Sequence, residues 1–184
     1  MDKDKLKFTS WFAGFAGVQR SVMELLFDFP TTVFSEREMA RQLDVSPTAI
    51  AKAVRRLEEA GLASVKKKFL LDIRLAAENE KVTEMKRVSN LGKLYSSGLV
   101  SFFSDNLPGA TVVIFGSYAR GEDTERSDID LAVIGTEEKA LKLESFEKTL
   151  RRRINVQFFG SRKIDKNLKE NIINGITLKG HVTL

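Results

Sequence analysis

The stretch Thr111–Val133 constrains the fold more than any other part of the chain, because two apolar runs flank a glycine-centred turn within it. Thr111–Phe115, TVVIF, is β-branched and apolar, which is typical of a buried strand. It leads directly into Gly116–Ser117, where glycine permits a sharp turn and a close approach to a ligand. A short helix ending at Gly121 and a second strand over Ser127–Val133 are predicted to follow.

The second predicted strand carries two carboxylates on one face. Side chains alternate across a strand, so Asp128 and Asp130 share a face while Ile129, Leu131 and Val133 take the buried one. Two carboxylates on a rigid strand can hold one or two Mg²⁺ ions, which prefer oxygen ligands and commonly also bind substrate phosphates. The free N–H groups at the start of the preceding short helix would suit a phosphate.

Gly116–Ser117, Gly121 and Ser127–Leu131 together resemble the core motif of the polymerase-β-type nucleotidyltransferases. The motif occupies residues 116–133, and the wider resemblance extends over about residues 112–159. The relatives it suggests are the minimal nucleotidyltransferases of prokaryotic or archaeal type, which include antitoxin-like members and kanamycin-nucleotidyltransferase-like enzymes.

The resemblance assigns roles residue by residue. It implies that Gly116 and Ser117 bind the triphosphate of an NTP, and that Asp128 and Asp130 bind Mg²⁺ and act as the catalytic carboxylates. Arg120 lies near the phosphate end of the motif and is a further candidate for nucleotide binding. The expected cofactor is therefore Mg²⁺, with an NTP as substrate or ligand.

One position departs from the family pattern. Active members usually place a third carboxylate on the next strand, which here is predicted over Ile154–Phe159, after a helix at about Glu137–Arg152. The spacing puts Asn155 where the third acid is expected, and an amide has no charge and cannot act as a base. Either transfer is weakened or the domain binds nucleotide without turning it over, unless Glu147 or Asp165 supplies the missing acid.

The first part of the chain predicts three helices with recognisable ends. The first covers about Val18–Phe29 and stops before a proline. The second covers Ser35–Asp44 and opens with the residue pair of a capping box. The third starts at Ser46, with Pro47 in the first turn, and Gly61 is placed to end it in the left-handed conformation.

The second and third helices are joined by only three residues, which is helix-turn-helix spacing. Two strand-like segments, Leu62–Val65 and Phe69–Leu75, then flank a lysine run. The order resembles the winged helix-turn-helix domains of prokaryotic regulators. The candidate DNA-binding residues lie on the outer face of the third helix and at the hairpin tip, where cations would meet phosphates: Thr48, Ala49, Lys52, Arg55, Arg56, Lys66, Lys67 and Lys68. A purely structural or dimerising role remains the alternative.

The whole chain is therefore expected to be an α+β protein of two domains, a winged helix-turn-helix followed by a small mixed-sheet nucleotidyltransferase-like domain. The expected bounds are residues 1–76 for the first domain, 77–107 for a connecting helix and 108–184 for the second. The net charge of +5 is compatible with nucleic acid or nucleotide but requires neither. The absence of cysteine and the single histidine exclude disulfides, thiolate metal sites and multi-histidine centres.

Three functional hypotheses remain open. The first is a Mg²⁺-dependent nucleotidyltransferase that modifies a hydroxyl of a protein, a nucleic acid or a small molecule. The second is a DNA-binding transcriptional regulator, expected to be a homodimer, whose second domain senses nucleotide or binds a partner. The third is an antitoxin-like protein paired with a toxin that it modifies or masks. No membrane segment is apparent, and a cytoplasmic location is expected.

Overall fold

The computed structural model describes residues 15, 17–67, 71–160 and 166–181. Contacts divide the chain into two compact units, Met1–Met85 and Lys86–Leu184, each with its own hydrophobic core. Within the described residues, no helix has both the length and the apolar character needed to cross a membrane.

The first unit contains three helices and an antiparallel hairpin. The helices are α1 (Val18–Asp28), α2 (Glu36–Leu43) and α3 (Pro47–Glu59), and the strands are β1 (Ala63–Lys67) and β2 (Leu71–Leu75). An isolated bridge joins Phe34, just before α2, to Ile73 in β2. Lys68, a predicted DNA-binding residue, and Phe69, the predicted start of the second strand, lie outside the described residues, as does the side chain of Lys67.

The helix ends follow from their capping residues. Ser35 and Glu38 form the complete capping box, in which the Ser35 N–H donates to Glu38 Oε2 at 2.7 Å. Ser46 Oγ accepts from the Ala49 N–H, with Pro47 in the first turn of α3. Gly61 follows α3 with φ of +71°. These three local predictions are confirmed.

Helix α3 packs one face into the core and leaves the other accessible. Ile50, Val54 and Leu57 are almost fully buried, as their spacing predicts. The candidate DNA-contacting positions on α3 lie on the other side: Thr48, Lys52, Arg55 and Arg56 are exposed, and Ala49 is half-buried. The chain therefore presents these side chains on one surface of the first unit.

The segment expected to form one connecting helix is two helices, α4 (Glu80–Ser96) and α5 (Leu99–Asn106). They are separated at Gly98, whose φ of +81° is a left-handed conformation that a continuing helix does not use. Leu94 of α4 and Phe103 of α5 are buried in the core of the second unit. Val82 and Met85 of α4 belong to the core of the first unit, so α4 spans the boundary between the units, whereas α5 lies wholly in the second.

The second unit is built on a four-stranded mixed sheet in the order β5-β4-β3-β6. Strands β3 (Thr111–Phe115) and β5 (Ile154–Phe159) have the predicted bounds, and β6 (Ile176–Lys179) pairs antiparallel with β3. Strand β4 (Ile129–Ile134) is antiparallel to β3 and parallel to β5. Helix α6 (Gly116–Arg120) follows β3 directly and ends at Gly121 in the left-handed conformation, as predicted.

The sheet is covered on both faces. One face carries the main core, to which β3, β4 and β5 contribute their alternating apolar residues. The opposite face has a smaller cluster that includes Val113, Phe115, Ala132 and Ile172, the last from α8 (Lys166–Ile173). Asp130 has the same strand parity as Ala132 and lies on this second face.

The helix predicted over Glu137–Arg152 is wrong in its first half, since α7 covers only Glu144–Leu150. Leu141 and Leu143 pack against the main core while Lys142 between them is exposed. Residues 137–143 precede α7 without forming a helix or a strand. Leu141 and Leu143 therefore reach the core without forming a helix.

Candidate functional site

Strand register places Asp130 at the centre of the candidate site. Asp130 pairs with Phe115 at the end of β3 on one side and with Asn155 of β5 on the other. The turn at Gly116 and the amide of Asn155 therefore flank one carboxylate. Asn155 thus lies beside Asp130 on the neighbouring parallel strand.

Gly116 lies directly against Asp130. Its φ is +76°, and a Cβ added there would stand 2.7 Å from Asp130 Oδ2. Both the left-handed backbone and the close approach require glycine. The start of α6 is thereby brought next to a carboxylate that can hold a cation.

Asp128 stands just before β4 rather than inside it, because the strand starts two residues later than predicted. A turn closes ahead of it, in which the Ser127 N–H donates to the Thr124 carbonyl at 3.1 Å and Ser127 Oγ accepts from the Thr124 N–H at 3.0 Å. Asp128 is exposed and Asp130 is half-buried. The two carboxylates remain two residues apart on an extended segment.

Asn155 contributes a hydrogen-bond donor. Its Nδ2 donates to Asp130 Oδ1 at 3.0 Å. Across the described residues, no group of three or more His, Cys, Asp and Glu side chains is arranged to hold a metal ion. Asp130 is thus oriented by an amide at the position where the sequence resemblance leads us to expect an acid.

Neither alternative acid fills that position among the described residues. Glu147 Oε1 accepts the Ile154 N–H at 2.9 Å, so this carboxylate is used to hold the start of β5. Asp165 lies outside the described residues.

The remaining sequence candidates surround the turn. Ser117 is half-buried in the first turn of α6. Arg120 is about half exposed and its Nε donates to Glu122 Oε2 at 2.7 Å. Tyr118 is buried at 3% exposure and packs in the core.

Sequence reasoning missed a buried polar cluster beside this site, which we call the Asp123 cluster. It consists of Asp123, Lys86, Asn90 and Arg152, all at most 6% exposed. Lys86 forms an ion pair with Asp123, and Asn90 Nδ2 donates to Asp123 Oδ1 at 2.7 Å. Arg152 completes the cluster through Nη2, 3.4 Å from Asp123 Oδ2.

The Asp123 cluster attaches α4 and the chain before β5 to the loop that leads to Asp128. Lys86 and Asn90 are one helical turn apart on α4, and Asn90 Nδ2 also donates to the Tyr118 carbonyl at 3.0 Å. Burial lowers the pKa of Lys86, and the Asp123 carboxylate opposes that shift. The i, i+4 spacing of Lys86 and Asn90 on a predicted helix was the available sequence signal, but their partners are distant in the chain.

The residues of the site are chemically suited to Mg²⁺ bound together with a phosphate. Asp128 and Asp130 offer hard oxygen ligands, and Asp130 keeps Oδ2 next to the Gly116 turn. Mg²⁺ is commonly held by one or two carboxylates plus substrate phosphates. The donor set therefore fits an ion that arrives with a nucleotide better than a cage made only of protein ligands.

The four-stranded mixed sheet thus carries a strand–glycine–helix turn beside an aspartate pair. The model of the family described as polymerase beta, nucleotidyltransferase matches residues 98–181, which is less than half of the chain. This match supports a nucleotidyltransferase domain in that region. A comparison with curated proteins found no match.

Gly116→Ala is expected to weaken binding of a Mg²⁺–ATP analogue, because its methyl group would displace the Asp130 carboxylate. Gly109→Ala is the matched control, since Gly109 has φ of +78° but nothing within 4 Å of an added Cβ. Both changes should cost about 1–2 kcal/mol of stability through the left-handed backbone. Calorimetric titration should show weaker binding only for Gly116→Ala, and equal binding by both variants would contradict the contact with Asp130.

Proposed function

We propose that the second unit binds a Mg²⁺–nucleoside triphosphate and transfers a nucleotidyl group to a hydroxyl of an acceptor. The observation that carries this proposal is the position of Asp130, paired in register with Asn155 and touching Gly116. It brings a cation ligand to the start of a helix whose N–H groups favour phosphate. The family match over residues 98–181 supports the same reaction class.

Each residue has a defined part in this reaction. Gly116 and Ser117 hold the phosphates through backbone N–H groups and the Ser117 hydroxyl, while Asp128 and Asp130 hold Mg²⁺. When bound, Mg²⁺ offsets phosphate charge and stabilises the attacking and leaving oxygens. The acceptor oxygen forms a bond to the α-phosphorus, the bond from that phosphorus to the bridging oxygen breaks, and pyrophosphate leaves.

Asn155 sets the limit on this activity. An amide cannot take the proton of the acceptor hydroxyl, so that proton passes to water without a protein base. The site also has one negative charge fewer than a site with three carboxylates, which weakens its hold on a second cation. Slow transfer is therefore the expected behaviour of the natural sequence.

Asn155→Asp is expected to increase both Mg²⁺ affinity and the rate of transfer, by about tenfold or more, since a base adds roughly 10²–10⁴-fold in favourable cases. The new carboxylate would stand about 3 Å from Asp130, so it should destabilise the metal-free protein by charge repulsion. Incubation with α-labelled NTP and Mg²⁺ measures transfer, with pyrophosphate release as an acceptor-independent readout.

The control for this experiment is Asn106→Asp, an amide-to-acid change on α5, remote in sequence from the aspartate pair. It should alter neither Mg²⁺ affinity nor pyrophosphate release. If natural protein and Asn155→Asp both fail to bind nucleotide, the proposed function is wrong. If Asn155→Asp binds nucleotide normally but neither protein releases pyrophosphate, the transferase part is wrong and nucleotide binding stands.

A second candidate function is a DNA-binding regulator that responds to nucleotide. The replacement of a carboxylate by Asn155 favours it, because such a site can retain nucleotide without rapid turnover. The exposed face of α3, bearing Thr48, Lys52 and Arg56, supports a contact with DNA. In this function two copies would bind a two-fold symmetric site, and a protein such as a toxin would be a further partner.

Arg56→Gln is expected to weaken DNA binding by the full-length protein and to lower the salt dependence of log K by about one unit of slope. Arg20→Gln on α1 is the matched control, because Arg20 is also an exposed cation of the first unit. Fluorescence anisotropy on duplex DNA over a range of salt concentrations measures both quantities. Equal effects of the two changes on DNA binding would show that α3 is not the contact surface.

A further inference from the structure

The second unit contains a cavity of about 510 Å³ that borders Asp128. Pockets that bind small ligands commonly have volumes of roughly 300–1,000 Å³. The cavity is lined by residues 125–128, by Glu144, Glu147 and Lys148 of α7, and by residues 151–153. Neither the triphosphate turn at Gly116 nor Asn155 lines it, so it is a separate space next to the proposed metal ligand.

Four exposed cations line this cavity together with four acids, two of which are exposed. Arg126, Lys148, Arg151 and Arg153 are all exposed, and they come from two different loops and from α7. Three consecutive arginines alternate in burial, because Arg152 is 6% exposed while its two neighbours are exposed. All three arginines line the cavity, and Arg151 and Arg153 are the two whose side chains are exposed.

The backbone of the arginine run is held in an uncommon conformation. Arg151 has φ of +53°, a left-handed value that side-chain-bearing residues rarely adopt. The buried Arg152 Nη1 donates to the Arg151 carbonyl at 3.0 Å, and its Nη2 lies 3.4 Å from Asp123 Oδ2. The Asp123 cluster thus joins residues 151–153 to the loop that bears Arg126.

Two of the acids that line the cavity have other roles. Glu147 accepts the Ile154 N–H, and Asp128 is a proposed ligand of Mg²⁺. Glu125 and Glu144 also line the cavity, together with the four exposed cations. With Mg²⁺ on Asp128, the surroundings carry an excess of positive charge, which favours an anionic ligand.

We propose that this cavity binds a phosphate group of the acceptor, so that the acceptor hydroxyl lies near Asp128. Arginine and lysine side chains bind phosphate oxygens through charge-assisted hydrogen bonds. The role of the cavity as an acceptor site rests on the proposed transfer reaction, but binding of a phosphate there does not require transfer. The phosphate is that of a small phosphate ester or of a nucleic-acid strand, and the two sources share the same contacts.

The test measures binding to the full-length protein by calorimetric titration. One arm uses ribose 5-phosphate and the other uses 5′-phosphorylated trithymidylate, each with and without Mg²⁺ and a saturating non-hydrolysable ATP analogue. The variant is Lys148→Gln/Arg153→Gln. The matched control is Lys142→Gln, an exposed lysine of the same unit outside the cavity.

At least one probe is expected to bind to the natural protein. The double variant should bind that probe roughly tenfold more weakly or worse, because the loss of a single charge-assisted contact already has an effect of about that size. The control should bind as the natural protein does, and the affinity for the ATP analogue should be similar in all three. Binding of ribose 5-phosphate would show that a small phosphate ester is a sufficient ligand. Binding of the oligonucleotide but not of ribose 5-phosphate would show that the ligand is a nucleic-acid strand.

The proposal is overturned if neither probe binds, or if the double variant and the control lose affinity equally. Failure of the ATP analogue to bind, with the probes still sensitive to the double variant, would instead refute the proposed nucleotide site and leave the phosphate site in place.

Discussion

Replacing Asp130 by asparagine is expected to weaken binding of a Mg²⁺–ATP analogue by about 100-fold or more. Loss of residues that merely support a metal ligand commonly reduces affinity 10–100-fold, and Asp130 is proposed to be a ligand itself. The change keeps the size of the side chain and an oxygen that can accept from Asn155 Nδ2, now 3.0 Å away. The fold should therefore survive while the charge that attracts Mg²⁺ is removed.

Calorimetric titration with the analogue at a fixed Mg²⁺ concentration measures this effect. Asp105→Asn is the matched control, because Asp105 is an exposed acid on α5 of the same unit. It should bind the analogue as the natural protein does. Undiminished binding by Asp130→Asn, with a normal thermal unfolding curve, would show that nucleotide binds elsewhere or without this carboxylate.

Asp123→Ala is expected to destabilise the second unit by about 3–5 kcal/mol, the usual effect of removing one partner of a buried ion pair. Lys86 and Arg152 are at most 6% exposed and would lose the carboxylate between them. For a unit of this size, each kcal/mol lowers Tm by roughly 4–8 °C, so a decrease of about 12 °C or more should be visible by calorimetry or circular dichroism.

The destabilisation by Asp123→Ala should become smaller as the pH rises. Burial already lowers the pKa of Lys86, and Asp123 opposes that shift. Without Asp123 the folded pKa of Lys86 falls further below its unfolded value. Between the two values the unfolded chain binds more protons, so stability rises with pH. The loss should be largest below the folded pKa, where the buried ammonium is fully charged.

A double-mutant cycle with Lys86→Met measures the interaction energy between Lys86 and Asp123. The Lys86→Met/Asp123→Ala protein should lose less stability than the sum of the single changes, because no buried ammonium remains to be left without its partner. Asp105→Ala serves as the exposed control and should change Tm little. A loss for Asp123→Ala no greater than that of Asp105→Ala would show that the Asp123 cluster does not support the fold.

Features that depend on neighbouring residues were predictable from the sequence. Capping at Ser35 and Ser46 depends on N–H groups three residues away, and the bounds of β3 and β5 follow from short apolar runs. The left-handed turns at Gly61 and Gly121 are likewise local. By contrast, residues 137–143 have a composition that suits a helix but form none, and Leu141 and Leu143 pack against the core of the second unit.

The sequence by itself determined the two aspartates on one extended segment, the glycine turn before them and the amide of Asn155 on the following strand. Only the tertiary structure decided that Lys86, Asn90 and Arg152 meet at Asp123, since their separations of 29–37 residues carry no periodic signal. The same holds for the cavity beside Asp128. Local patterns reflect interactions within a few residues, whereas buried charges and cavities depend on which elements pack together.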